Sequence, residues 1–170
     1  MKSYKITFLC IIFSSIFGLL SKMSLTSPEL SSFISLFQFL MFITIMGIVV
    51  SVIVGIALTL PISSAAICAA LNLTGLAGGA ALAGCCAQMI GFAVMSYKEN
   101  GVGGLFAQGI GTSMLQMGNI VKNPKIWLAP IITSAITGPI ATCIFKLKMN
   151  GAAVSSGMGT CGLVGQIGVY

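Results

Sequence analysis

Eight lysines and two glutamates are the only charged side chains in this sequence of 170 residues, and the stretches between them decide what it can fold into. Residues 6–21, 30–97, 100–121, 126–145 and 149–170 carry no charge. A membrane-spanning helix needs about 20 predominantly apolar residues, and all but the first of these runs reach that length. Drawn as a single helix, the run 30–97 would extend about 100 Å at ~1.5 Å per residue. That is more than three times the ~30 Å hydrocarbon core, so the chain turns inside or near the membrane. Only 6% of residues are charged and 57% are hydrophobic, against about 25% charged in a soluble domain. The expected fold is all-α: a polytopic transmembrane helix bundle of about five spans plus a broken or re-entrant helix, in contact with membrane lipid.

The net charge of +6 comes from lysines at segment ends, where snorkelling and headgroup contacts place them. A nucleic-acid groove needs clustered charge and arginine, and the chain has no arginine, so no nucleic-acid partner is expected. Acid–base catalysis needs a positioned titratable group. With no His, no Asp and both Glu at segment ends, no catalytic residue is assigned and the chain reads as a transport subunit rather than an enzyme. The same lack argues against an ion-coupled carrier, whose relays put carboxylates or histidine inside the membrane. The cysteines at 10, 68, 85, 86, 143 and 161 lie in apolar runs with no histidine to complete a mixed site. They read as small buried hydrophobes, and no metal or cofactor is expected.

Along the chain, Lys2 and Lys5 followed by the apolar stretch Ile6 to Leu20 have the shape of a signal sequence. No A-x-A site follows, so the stretch is read as an uncleaved short first span, with residues 22–29 as a loop. Leu30 to Leu60 reads as a lipid-facing helix that ends at Pro61, because proline breaks the hydrogen-bond ladder but suits the first turn of a new helix. The next piece, Ile62 to Leu71, is too short to cross, and Asn72-Leu73-Thr74-Gly75 supplies turn chemistry amid apolar sequence. Irregular backbone at membrane depth survives only where protein or a wet cavity covers it, and such half-helices commonly form transport sites. A plain surface loop is the alternative here.

Leu76 to Tyr97 is an interior span rich in Gly and Ala, closed by the polar turn Lys98-Glu99-Asn100-Gly101. Gly103 to Val121 reads as another span, followed by Lys122 to Lys125, Trp127 as an interfacial anchor, and a last span over 126–145 interrupted by Pro130 and Gly138-Pro139. Residues 151–170 are apolar and glycine-rich. Alternating spans put lysines 2, 5, 122 and 125 on one side and 22, 98, 146 and 148 on the other, so charge asymmetry sets no orientation.

What remains inside is neutral and polar: Gln38, Asn72, Gln88, Gln108, Gln116, Asn119 and Gln166, with many Ser and Thr. Amides both donate and accept, which suits a neutral polyhydroxyl ligand; alternatively they join helices, at ~0.6 to 2 kcal/mol each. Glutamine recurs beside small residues in AQMIG (87–91), AQGIG (107–111) and GQIG (165–168), and PISSAAI (61–67) resembles PIITSAI (130–136) as halves of a transporter repeat would. The candidate substrate-binding set is Ser63, Ser64, Asn72, Gln88, Gln108, Gln116, Asn119, Thr160 and Gln166.

From about Leu40 onward the sequence resembles the EIIC-like membrane subunits of the bacterial phosphoenolpyruvate-dependent sugar phosphotransferase system. The stretches that carry the likeness are PISSAAICAALNLTGLAGGAALAGCCAQMIGFAVMSYKENGVGGLFAQGIGTSMLQMGNIVKNPKIWLAPIITSAITGPIATCIFK (61–146) and GMGTCGLVGQIG (157–168). The resemblance covers about three quarters of the chain. It implies a sugar-translocating protein of the bacterial cell membrane, working with cytoplasmic phosphocarrier subunits that phosphorylate the sugar as it passes, and a homo-oligomer. It brings no assigned catalytic residue to a position here. Family members are normally longer, which implies a shortened member in which residues 1–29 are a short span and loop outside the match and 30–170 the EIIC-like domain. The alternative function is a non-transporting remnant or an assembly or sensing partner, with the Gly and Gln faces serving only packing.

Overall fold

The structure, a computed structural model, describes residues 28–169. The expected short span Ile6–Leu20 and Cys10 lie outside the described residues. The chain divides into two compact units, one up to Phe42 and one from Ile43 onward. Among the described residues there is no strand, only an isolated antiparallel bridge between Gly75 and Met149.

Helix α1 (Pro28–Thr59) begins at a proline, whose missing N–H costs nothing in a first turn. Pro28 and Glu29 thus belong to a helix rather than to the expected loop. In the unit up to Phe42, α1 exposes Leu36, Phe37, Phe39 and Phe42. The helix stops where Pro61 cannot donate, and the chain turns with Ile62 N–H on Leu60 O (2.7 Å). Ser63 caps the short α2 (Ser64–Ala70) by accepting from Ala66 N–H. Asn72 then takes a left-handed φ of 48°, a conformation asparagine tolerates, and leads to α3 (Gly75–Phe106). The break at Pro61, the short helix and the Asn72–Gly75 turn fall where the sequence puts them.

Among the described residues, three helices are long and apolar enough to cross a membrane: Ser35–Thr59, Gly75–Gly111 and Pro124–Ile144. The second does not run straight. Gly101 adopts φ 57°, ψ −148°, a region open essentially to glycine alone, and the chain doubles back there. Beyond it, a methyl on Gly109 would touch Ala93 Cβ at 3.5 Å, whereas about 24 Å would separate these residues in an unbroken helix. A π-helical turn (Ala107–Gly111) follows, then a 3-10 turn (Ser113–Gln116) capped by Thr112 and the short α4 (Met117–Lys122). Gln116, Asn119 and Lys122 lie again beside Ser96, Glu99 and Asn100. Residues 102–122 therefore form a hairpin that returns to the Gly101 end, not the single straight helix expected from Gly103 to Val121. The apolar run is long enough to cross, but its glycines and the Thr112-Ser113 cap break it halfway. Lys98 and Lys122 consequently share one end of the molecule, where strict alternation of spans had separated them.

A 3-10 turn (Pro124–Trp127) opens α5 (Leu128–Pro139). Pro130 sits in its first turn, where no N–H is missed, and packs against Gly91. Pro61 instead stands outside a helix, so the two similar heptapeptides occupy different settings. After Pro139 the helix loosens into a π-helical turn (Ile140–Ile144). The chain then reaches Met149, which exchanges two backbone hydrogen bonds with Gly75.

The last segment is also a hairpin. It holds α6 (Ala153–Ser156), a 3-10 turn (Cys161–Leu163) and α7 (Val164–Val169). Its ends close on each other: Asn150 and Gly151 N–H both donate to Gly168 O (3.0 and 2.8 Å). Its tip, around Gly157–Thr160, reaches Cys85 and Met89 of α3. Met89 is about midway between Gly75 and Gly101, so this hairpin enters from the Gly75 end and stops halfway.

The frame holding these pieces is a crossing of α1, α3 and α5. Ser51 and Gly55 of α1 lie along Gly84 and Gln88 of α3, so these helices run the same way. The contacts of α3 with residues 130–147 run in reverse, Gly79 to Leu147, Gly84 to Ser134 and Gly91 to Pro130, so α5 runs oppositely. The buried side is rich in small residues, Ala57, Ala80, Ala81, Ser51 and Ser134, beside the larger Met89 and Phe92, while Val94, Phe106, Ile132, Ile136, Ile144 and Phe145 point outward. Water would favour the reverse arrangement; in lipid, where apolar side chains lose nothing by facing outward, small residues let backbones approach.

Candidate functional site

The nine candidate residues do not line one cavity; the fold distributes them over separate environments. The first is the meeting point of the broken elements. Thr160, on the tip of the C-terminal hairpin, donates from its hydroxyl to Gly109 O in the π-helical turn of the other hairpin, and approaches Met89 Sδ at 3.4 Å. On the same tip, Gly157 O accepts from Ser64 Oγ (2.7 Å), which ties in the start of α2 beside its cap Ser63. Gln108, next to Gly109, is buried, and its side-chain oxygen has no hydrogen-bond partner. Below the hairpin's turn, Ser113 and Thr59 face each other with hydroxyls 3.4 Å apart, both fully buried. Ser63, Ser64, Gln108 and Thr160 are thus gathered near one level. Thr59 and Ser113 join them, unmarked in sequence because single Ser and Thr residues are common in such chains.

A π-helical turn is one extra residue forced into a helix and recurs at functional sites. Here it shifts the carbonyl register: Thr112 N–H bonds to Ala107 O (3.0 Å), and Gly109 O is left for Thr160. A buried amide oxygen without a partner costs about 1–3 kcal/mol, and Gln108 holds such an acceptor beside the junction.

The second environment is a polar pocket of about 420 Å³ between the Gly101 end of α3, α4 and the turn before α5. Gln116 and Asn119 meet there, with Asn119 Nδ2 donating to Gln116 Oε1 (2.8 Å). Ser96 and Asn100 form a second pair, with Asn100 Nδ2 donating to Ser96 Oγ (3.0 Å). Glu99, Lys122 and Asn123 complete the polar lining. The sequence offers these last three as polar turns flanking the run 100–121; only the fold-back at Gly101 reveals that the two turns face each other.

The other candidates stand apart. Gln88 is fully buried at the helix crossing, where its Nε2 donates to Ser134 Oγ (3.3 Å) and Ser134 in turn donates to Pro130 O (2.8 Å). Its Oε1 has no partner, and the amide lies where helices touch. Gln166 borders an apolar cleft of about 930 Å³ along α3 and α5. With its amide nitrogen turned toward the backbone it donates to Gly159 O (3.2 Å) and Leu163 O (3.3 Å), bracing the hairpin tip. Asn72 sits exposed in the turn before α3, at the opposite end from the polar pocket. Cys68 and Cys85 are buried free thiols in the apolar cluster with Val54 and Ala81.

Compared with known families, residues 9–170 match the family model described as Phosphotransferase system, EIIC. No curated protein and no solved structure matches the chain.

Proposed function

The chain belongs to the phosphotransferase system EIIC family and is therefore a sugar-permease subunit of the membrane; from that premise we propose how it handles its solute. It spans the bacterial cell membrane several times and carries a neutral sugar, which separate cytoplasmic phosphocarrier subunits phosphorylate. It performs no phosphorylation itself and works as a homo-oligomer. The sugar passes the junction of the two hairpins, where Gln108, Thr160 and Ser64, with Thr59 and Ser113, supply neutral donors and acceptors.

One observation carries this reading. Two hairpins enter from opposite ends and their tips meet through Thr160 and Gly109, halfway along α3. Broken elements meeting at mid-depth are the recurrent form of transport sites, because the freed backbone groups can serve a solute instead of a helix. A hydroxyl-bearing neutral solute matches uncharged lining groups that both give and take hydrogen bonds.

The test is phosphoenolpyruvate-dependent accumulation of labelled sugars in vesicles loaded with the soluble phosphotransferase proteins. Uptake that requires phosphoenolpyruvate and falls about tenfold in Thr160→Val, the weight of roughly one buried hydrogen bond, supports the reading. Folded, correctly inserted protein that accumulates no sugar would favour a non-transporting assembly or sensing partner.

A further inference from the structure

The polar pocket at the Gly101 end is separate from the hairpin junction. Ser96 lies beyond Met89 on α3 by roughly 10 Å along the axis, and neither Thr160 nor Gln108 lines the pocket. Its volume of about 420 Å³ falls in the usual range for small-molecule sites, about 300–1,000 Å³.

The internal hydrogen bonds decide what the pocket offers. Asn119 spends an N–H on Gln116 Oε1, which leaves the Gln116 amide nitrogen as donor and the Asn119 oxygen as acceptor. Asn100 spends an N–H on Ser96 Oγ, which leaves the Asn100 oxygen as acceptor and the Ser96 hydroxyl proton as donor. Two donor–acceptor pairs therefore face one space. Ser96 and Gln116 are more than nine-tenths buried, whereas Asn100 and Asn119 are exposed, so each pair joins a fixed, buried group to one that a ligand reaches from outside. Met95 and Ile126, backed by the fully buried Phe92, provide an apolar surface on the same pocket. Exposed Glu99 and Lys122 contribute one charge of each sign, with no net charge to attract an ion. Paired donors and acceptors beside an apolar surface fit a ring or chain with hydroxyls on one face and C–H groups on the other.

We propose that this pocket is a second saccharide-binding site, selective for a neutral, unphosphorylated sugar of monosaccharide size. Gln116 and Asn119 grip one pair of neighbouring hydroxyls, Asn100 and Ser96 another, and Glu99 offsets the attraction that Lys122 would have for a phosphate ester. The site extends the permease reading, and its test reads binding rather than uptake, so either can fail alone.

Trp127 is the only tryptophan of the chain and directly follows Ile126 of the pocket, which makes it a built-in reporter. The experiment titrates the full chain in lipid nanodiscs with glucose, galactose, mannose, mannitol and glucose 6-phosphate, following Trp127 emission. A saturable change with at least one neutral compound is expected, weakened about tenfold by Gln116→Leu or Asn119→Leu, as one lost hydrogen bond to a polyol would give. Glucose 6-phosphate should bind more weakly than glucose, and Glu99→Gln should narrow that gap. Thr160→Val should leave the titration in place. As a check on folding, Asn123→Cys, at the exposed rim of the pocket, should be labelled by maleimide and protected by the same neutral sugar, read by peptide mass. A titration insensitive to the pocket substitutions but lost in Thr160→Val would overturn the proposal. So would the lack of any saturable response together with unprotected Asn123→Cys.

Discussion

The helix crossing and the hairpin junction are built from similar residues to opposite ends. At the crossing, Ser51 donates to Ser134 O and Ser134 to Pro130 O, and the backbones of Gly84 and Gly138 lie against α1. Regular helices satisfy their own backbones there, so serine and glycine serve only to bring them close. At the junction the helices stop, and the same kinds of side chain meet carbonyls that no helix uses, as Thr160 meets Gly109 and Ser64 meets Gly157. Polar residues join helices where the backbone is continuous and meet free carbonyls where it is interrupted.

That contrast can be broken by experiment, most severely at the crossing. A side chain on Gly84 would collide with the Ser51 backbone. Gly84→Leu should therefore cost at least about 3 kcal/mol, as gross overpacking does, and abolish the monodisperse peak in detergent chromatography. Gly101→Val forces a branched side chain into φ 57°, ψ −148°, at about 1–3 kcal/mol. It should lower the melting temperature and, by shifting the hairpin, reduce uptake as well. A milder pair sharpens the comparison. Gln108→Leu, at the junction, should cut uptake about tenfold through the loss of one hydrogen bond to solute, with little change in melting. Gln88→Leu, at the crossing, removes one long hydrogen bond but also an unpaired buried oxygen, so stability should stay within about 1 kcal/mol and uptake unchanged. Equal uptake losses in the two variants would erase the distinction.

The membrane class, the helix ends at Pro61 and Lys146, and the interrupted stretch 60–75 were legible because each depends on local chemistry: absent charge, a proline, or a left-handed asparagine. The fold-back of 102–122 was not. Its uncharged run satisfies the length rule for a span, and only the neighbours of Gly109 and Asn119 reveal that it returns. The candidate residues show the same divide. Amides could be picked out as neutral and polar, but whether Gln88 joins helices while Gln116 faces a pocket depends on partners from other elements. Glu99 and Lys122 looked like ordinary segment ends because their proximity is created by the reversal at Gly101.

The contact between Thr160 and Gly109 makes the two hairpins mechanically interdependent. On the path proposed above, a sugar passing between the tips would part this bond whichever end it started from. Its own hydroxyls would take the place of the broken partner, leaving an occupied junction easier to open than an empty one.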